Sequence, residues 1–154
     1  METFAKCLDD REYIKWNNKY CVGISIIDEQ HKKLFGFINK TIYAMEHSDS
    51  TEDLTEELKE VLEEMINFAQ EHFETEDNYM IEFDYPEFEE HNEEHYDFLT
   101  KTIAYFGRVV NGDYHISNKL IKYLKQWLVN HIQVSDKKYV NYSNLNSLKY
   151  SAQN

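Results

Sequence analysis

His72 and Glu76 lie four residues apart in the run HFETE, and a helix brings residues at that spacing to one face, about 40° apart at 3.6 residues per turn. The apolar residues around this run keep the same spacing. Leu54, Leu58, Val61, Met65 and Phe68 lead through His72 and Glu76 to Tyr79 and Phe83. An imidazole and a carboxylate are thereby set on a core-facing stripe, where each must be paired, hydrogen-bonded or metal-bound. No other feature constrains the fold as much, and it recurs. HNEEH sets His91 and His95 four apart, HIQVSD sets Asp136 five after His131, and His31 stands in IIDEQHKKLF. Five histidines and two carboxylates over four segments read as one dinuclear metal centre.

These segments fall on four amphipathic stretches joined by short links. Asp28 is the expected N-cap of the first helix, whose stripe is Ile27, His31, Leu34, Ile38, Ile42 and Met45 and which ends near His47. Ser50 and Asp53 have capping-box spacing and open the second. Pro86 is expected at the first position of the third, with Glu87, Glu89 and Glu90 in its first turn. Its stripe is Phe88, His91, His95, Phe98, Thr102, Tyr105 and Val109, and Gly112 and Asp113 close it. Ser117 is expected to cap a fourth helix with the stripe Leu120, Leu124, Trp127 and His131.

The pattern predicts an all-α fold, an antiparallel up-down four-helix bundle. Trp16, Tyr20, Val22, Ile24 and Ile27 predict an extended N-terminal arm across it, with Gly23 in a turn, and the polar residues after about 141 predict a short C-terminal tail, frayed or docked. Alternating helix direction places all seven ligand-type residues near one end of the bundle. One spacing resists this. Residues five apart on an α-helix differ by about 140°, so His131 and Asp136 require a local π-type widening, a feature often found at functional sites.

Composition narrows the rest. Four glycines and one proline in 154 residues favour long helices over tight turns. A net charge of −13 argues against nucleic acid or an anionic membrane as partner. With no long apolar run and no apolar signal core, a single cytoplasmic domain over residues 1–154 is expected. Cys7 and Cys21 are isolated and are expected as reduced thiols.

Imidazole and carboxylate ligands without thiolate suit iron, manganese or zinc, and seven ligands exceed what one tetrahedral zinc takes. Two ions sharing two bridging carboxylates fit the count. The order His31, His72–Glu76, His91–His95, His131–Asp136, with Trp16 ahead of YCVGISIIDEQHKKL and with WLVNHIQVSDKKY around His131, resembles the hemerythrins, specifically bacterial hemerythrins, over about residues 14 to 141. The resemblance implies reversible O2 binding at a non-haem di-iron centre. His91, His95 and His131 would ligate one iron and His31 and His72 the other, which keeps an open position. Glu76 and Asp136 would bridge the pair beside an oxo or hydroxo ligand. Leu34, Phe73, Trp127 and Leu128 would wall the O2 pocket. The expected role is oxygen carriage, storage or delivery by a monomer that is not an enzyme. The alternatives are O2 or redox sensing through a separate partner, with no fused signalling domain expected, and detoxification of O2, peroxide or nitric oxide.

A ferritin-like oxidase fits less well, because such sites use Glu-x-x-His pairs and no glutamate stands three residues before any histidine here. A zinc hydrolase fails on ligand count. His47 and His115 lie outside the pattern and are expected at the surface. Tyr79, Tyr105 and Tyr139 read as core, where a tyrosine near the centre could also hydrogen-bond a ligand.

Overall fold

The computed structural model describes residues 12–113 and 116–153. Among them are helices α1 (Ser25–His47), α2 (Thr51–Glu82), α3 (Phe88–Val110) and α4 (Ser117–Asn130), a π-helical stretch (His131–Asp136), and α5 (Lys137–Gln153), and no strand. α1 packs on α2 and α4, and α3 packs on the same two. With short links between successive helices, this closes the antiparallel up-down four-helix bundle. α4, the π stretch and α5 run as one rod, because Asn130, His131 and Lys137 all keep right-handed helical backbone.

The core is apolar for most of its length: Ile27, Ile42, Leu58, Leu62, Ala69, Val109, Leu120 and Ile121 are fully buried. The face α2 buries is turned slightly from the expected stripe. Leu62, Ala69, Phe73 and Met80 are buried, whereas Leu54, Val61, Phe68 and Tyr79 are only partly so. His72 and Glu76 belong to both sets and stay buried.

Ser50 caps α2 as its spacing predicts, accepting from Asp53 N at 3.1 Å. Three other helix starts differ from expectation. α1 begins at Ser25, and Asp28 instead accepts from Val22 N at 2.8 Å and Gly23 N at 3.3 Å, so it fastens the arm. Gly23, with φ +91, supplies the left-handed turn between them. Pro86 lies in the turn that precedes α3, which starts at Phe88. Ser117 is the first residue of α4, not its cap, and is buried.

The arm packs as expected. Ile14 exchanges two hydrogen bonds with the Asn39 amide, at 2.8 and 2.9 Å. Trp16 and Tyr20 cluster on Phe35, and the buried Lys125 donates to the Glu12 carbonyl. Beyond residue 141 the chain is helical, with α5 continuing to Gln153. His47 is exposed and Cys21 is an exposed free thiol. His115 and Cys7 lie outside the described residues.

Candidate metal centre

All seven ligand-type residues meet at one end of the bundle, and each is at most 4% exposed. Helical spacing accounts for three of the pairs. His72 and Glu76 share one face of α2, with His72 Nε2 3.3 Å from Glu76 Oε1. His91 and His95 share one face of α3, with ring centroids 4.6 Å apart. The π stretch does the same for His131 and Asp136: its i→i+5 hydrogen bonds bring residues five apart into line, and His131 Nε2 lies 3.0 Å from Asp136 Oδ1.

The two carboxylates sort the five histidines. Glu76 turns Oε1 toward His31 and His72, at 3.6 and 3.3 Å, and Oε2 toward His91, His95 and His131, at 3.4, 3.0 and 3.9 Å. Asp136 divides the same way, with Oδ2 3.1 Å from His31 and Oδ1 3.2 and 3.0 Å from His91 and His131. Two overlapping nests result, His31–His72–Glu76–Asp136 and Glu76–His91–His95–His131–Asp136, each with its ligand atoms within 4.8 Å of one another.

The atoms themselves fit cations better than each other. His31 Nε2 and both Asp136 oxygens are buried without a hydrogen-bond partner despite their closeness. His95 Nε2 and His131 Nε2 face each other at 3.0 Å, where at most one can carry a proton. Unpaired buried polar atoms are costly, and lone pairs converging from five imidazoles and two carboxylates are the donor set of first-row divalent ions.

Protonation in the metal-free cluster is uneven. Burial works against a charged His31, but the contacts and charges of Asp136 and Glu76 outweigh it and raise its pKa to about 9. His131 is raised well above its ordinary value and His91 is raised, in both cases because carboxylate contacts overcome burial. Burial wins at His95, whose pKa falls to about 4. Burial pushes Glu76 upward, yet the charge of His72 and the contacts of His131, His31 and His72 hold it well below the usual carboxylate range. Asp136 is likewise lowered: burial and the Glu76 charge are outweighed by the charge and contact of His131 and by contact with His31.

A family model described as the Hemerythrin HHE cation binding domain matches residues 22–142. The chain belongs to the hemerythrin family. Among its relatives, a hemerythrin-like protein of Naegleria gruberi is 32% identical over 124 residues, 80% of this chain and 88% of that protein. Hemerythrin subunit 2 of Golfingia vulgaris is 30% identical with the same coverage. A bacteriohemerythrin of Stenotrophomonas maltophilia is 29% identical over 80% of this chain and 77% of its own length. The crystal structure of a wild-type hemerythrin superposes with a TM-score of 0.75 at 22% identity, covering 86% of this chain and 98% of that one, which shows the fold. Hemerythrins bind O2 at a di-iron centre, and the cluster of this chain is of the kind that can hold such ions.

Next to the centre lies a small apolar cavity lined by Leu34, Ile38, Met65, Phe73, Phe98, Leu124, Trp127 and Leu128. The four wall residues named from the sequence all line it. Two of them stack on ligand-type rings: Phe73 lies on His95 at 3.8 Å and Trp127 on His131 at 4.3 Å. Tyr139, 1% exposed, donates its hydroxyl to Glu76 Oε1 at 3.1 Å. Spacing does not single out Gln30, Glu94 or Ser135, although each touches a ligand-type histidine or its partner. Gln30 and Glu94 immediately precede His31 and His95 in the chain, but they serve His72 and His131 on other helices.

Proposed function

We propose that this chain binds O2 reversibly at two iron ions held by its buried cluster, as an oxygen carrier or store. The observation that carries this reading is the division of the two carboxylates: Glu76 turns one oxygen to His31 and His72 and the other to His91, His95 and His131, and Asp136 turns one oxygen to His31 and the other to His91 and His131. His91, His95 and His131 would hold one ion, His31 and His72 the other, with both carboxylates shared. With three histidines on one side and two on the other, the two-histidine side would have room for a small ligand on its ion. Iron held there would supply the redox chemistry that reversible O2 binding requires.

The side chains do the remainder. The Tyr139 hydroxyl and the packed helix fix the Glu76 carboxylate, so its oxygens stay aimed at both halves of the site. The apolar cavity has only about 10 Å³ open to a water-sized molecule, at the lower edge of what one water needs. A dry wall without a proton donor restricts the supply of protons that would convert bound O2 into released peroxide. A histidine-rich, carboxylate-poor donor set suits binding over oxygen activation, since each added carboxylate favours the higher oxidation states.

The test is an optical spectrum of anaerobically reduced protein before air, after air and after its removal, with iron quantified. Two irons per chain and a charge-transfer band that comes and goes with O2 support the reading. An irreversible change on first exposure replaces carriage with sensing or detoxification. Protein from iron-replete cells that contains no iron overturns the metal assignment.

A further inference from the structure

The imidazole nitrogens that turn away from the centre are held unequally. On the three-histidine side, His131 Nδ1 lies 2.6 Å from Glu94 Oε2. Ser135, within the π stretch, donates its hydroxyl to both oxygens of the same carboxylate, at 2.7 and 3.0 Å. A second carboxylate, Asp77, stands 4.0 Å from His95 Nδ1. On the two-histidine side the partner is neutral. His72 Nδ1 lies 2.7 Å from Gln30 Oε1, Gln30 Nε2 donates to Thr75 Oγ1 at 3.0 Å, and Thr75 donates to the Glu71 carbonyl at 3.0 Å. His31 Nδ1 has no hydrogen-bond partner among the described residues.

Both chains of bonds have a fixed direction. The Glu71 carbonyl can only accept, so Thr75 donates to it and accepts from the Gln30 NH2 group. Gln30 then offers its oxygen to His72, whose Nδ1 must carry the proton. A carboxylate also only accepts, so His131 Nδ1 carries a proton too. In both cases Nε2 is the nitrogen that faces the centre and would offer its lone pair to an ion. The difference lies in charge: a full negative charge behind His131 and an amide dipole behind His72.

We propose that Glu94 and Gln30 are positioning residues that make the two ion positions inequivalent. A carboxylate behind a metal-binding imidazole raises its basicity and its hold on the ion, and such outer partners change metal affinity about 10- to 100-fold. Glu94, steadied by Ser135, makes the three-histidine position the tighter one and the one that better tolerates added positive charge. Gln30 orients His72 without adding charge, so the ion that must keep a vacant position is held less strongly. This rests on reading the cluster as a two-ion centre.

The experiment is a stepwise titration with Co(II) against a competing chelator, together with the potential of the iron-loaded centre by spectroelectrochemistry. Wild type is compared with Glu94→Gln, Glu94→Asp and Gln30→Glu. Glu94→Gln is expected to weaken the tighter step about 10- to 100-fold, leave the weaker step near its original value and raise the potential. Glu94→Asp keeps the charge and restores most of the loss. Gln30→Glu is expected to strengthen the weaker step and lower the potential, an opposite shift that mere loosening of the fold does not produce. If wild type binds two ions and the variants leave both steps and the potential unchanged, or shift both steps alike, the roles of Glu94 and Gln30 are overturned while the two-ion reading stands. If wild type itself fails to take up two ions, that reading falls and this proposal with it.

Discussion

At the scale of single residues, Tyr139 and His72 test different parts of the site. Tyr139 is buried and gives its hydroxyl to a carboxylate that is itself 0% exposed. Tyr139→Phe keeps the ring and removes one hydrogen bond to a charged group, so metal-free protein should lose about 1.5–3 kcal/mol of stability. Urea unfolding measures this, and an unchanged midpoint would show that the bond contributes nothing. His72→Ala should empty the two-histidine position while the other keeps its ion, which metal analysis of the purified variant would reveal; equal loss at both positions would mean that the ions bind as a unit. The sequence announces His72 because Glu76 stands one helical turn away, inside an apolar stripe. It does not announce Gln30 or Glu94 as partners of His72 and His131, because those contacts join residues 42 and 37 apart in the chain. A spacing rule reads one helix at a time.

Among the helices, the π stretch is the feature most open to manipulation. Its presence follows from a single count: five residues from His131 to Asp136 cannot share an α-helical face. Regular helix is the more stable alternative for most sequences, so the widening is a local cost. Deleting Gln133 would place the two ligand-type residues four apart and allow a continuous α-helix from α4 into α5. Metal-free protein is expected to gain about 1 kcal/mol, seen as a higher melting temperature, while metal affinity falls because the His131 and Asp136 side chains leave their present directions. Affinity equal to wild type would show that the π geometry is incidental. Helix ends were less legible than helix faces. Asp28 has the chemistry of a cap, but the Val22–Gly23 turn supplies donors that it meets instead. Polarity after residue 141 resembles a loose tail, yet Tyr139 and Val140 just before it and Ser143 within it are buried, and the helix continues.

For the whole molecule, a metal held by side chains drawn from α1, α2, α3 and the π stretch would tie its binding to the stability of the bundle, and proton linkage gives that tie a sign. His31, with a folded pKa of about 9, and His131 and His91, also raised, stabilise the metal-free fold as imidazolium ions. Their contribution is fully present below the unfolded value of about 6.5 and is lost as pH rises through the raised folded values. Glu76 and Asp136, both lowered, contribute above the unfolded carboxylate range and lose that contribution as pH falls through their lowered values. His95, lowered to about 4, adds stability as pH rises from there toward 6.5. Metal-free protein should therefore weaken above pH about 6.5 as the imidazolium ions are lost. Metal needs neutral imidazoles, so loading at pH 7 should release the protons held by His31, His131 and His91, and affinity should fall as pH drops through their raised folded values, from about 9 downward for His31. The difference in melting temperature between loaded and metal-free protein should thus widen from pH 6 to pH 8.5. Calorimetric melts with and without anaerobic ferrous ion, alongside proton release in weakly buffered solution, measure both effects. A gap that stays constant across that range would mean that the buried cluster does not hold protons where the metal must sit.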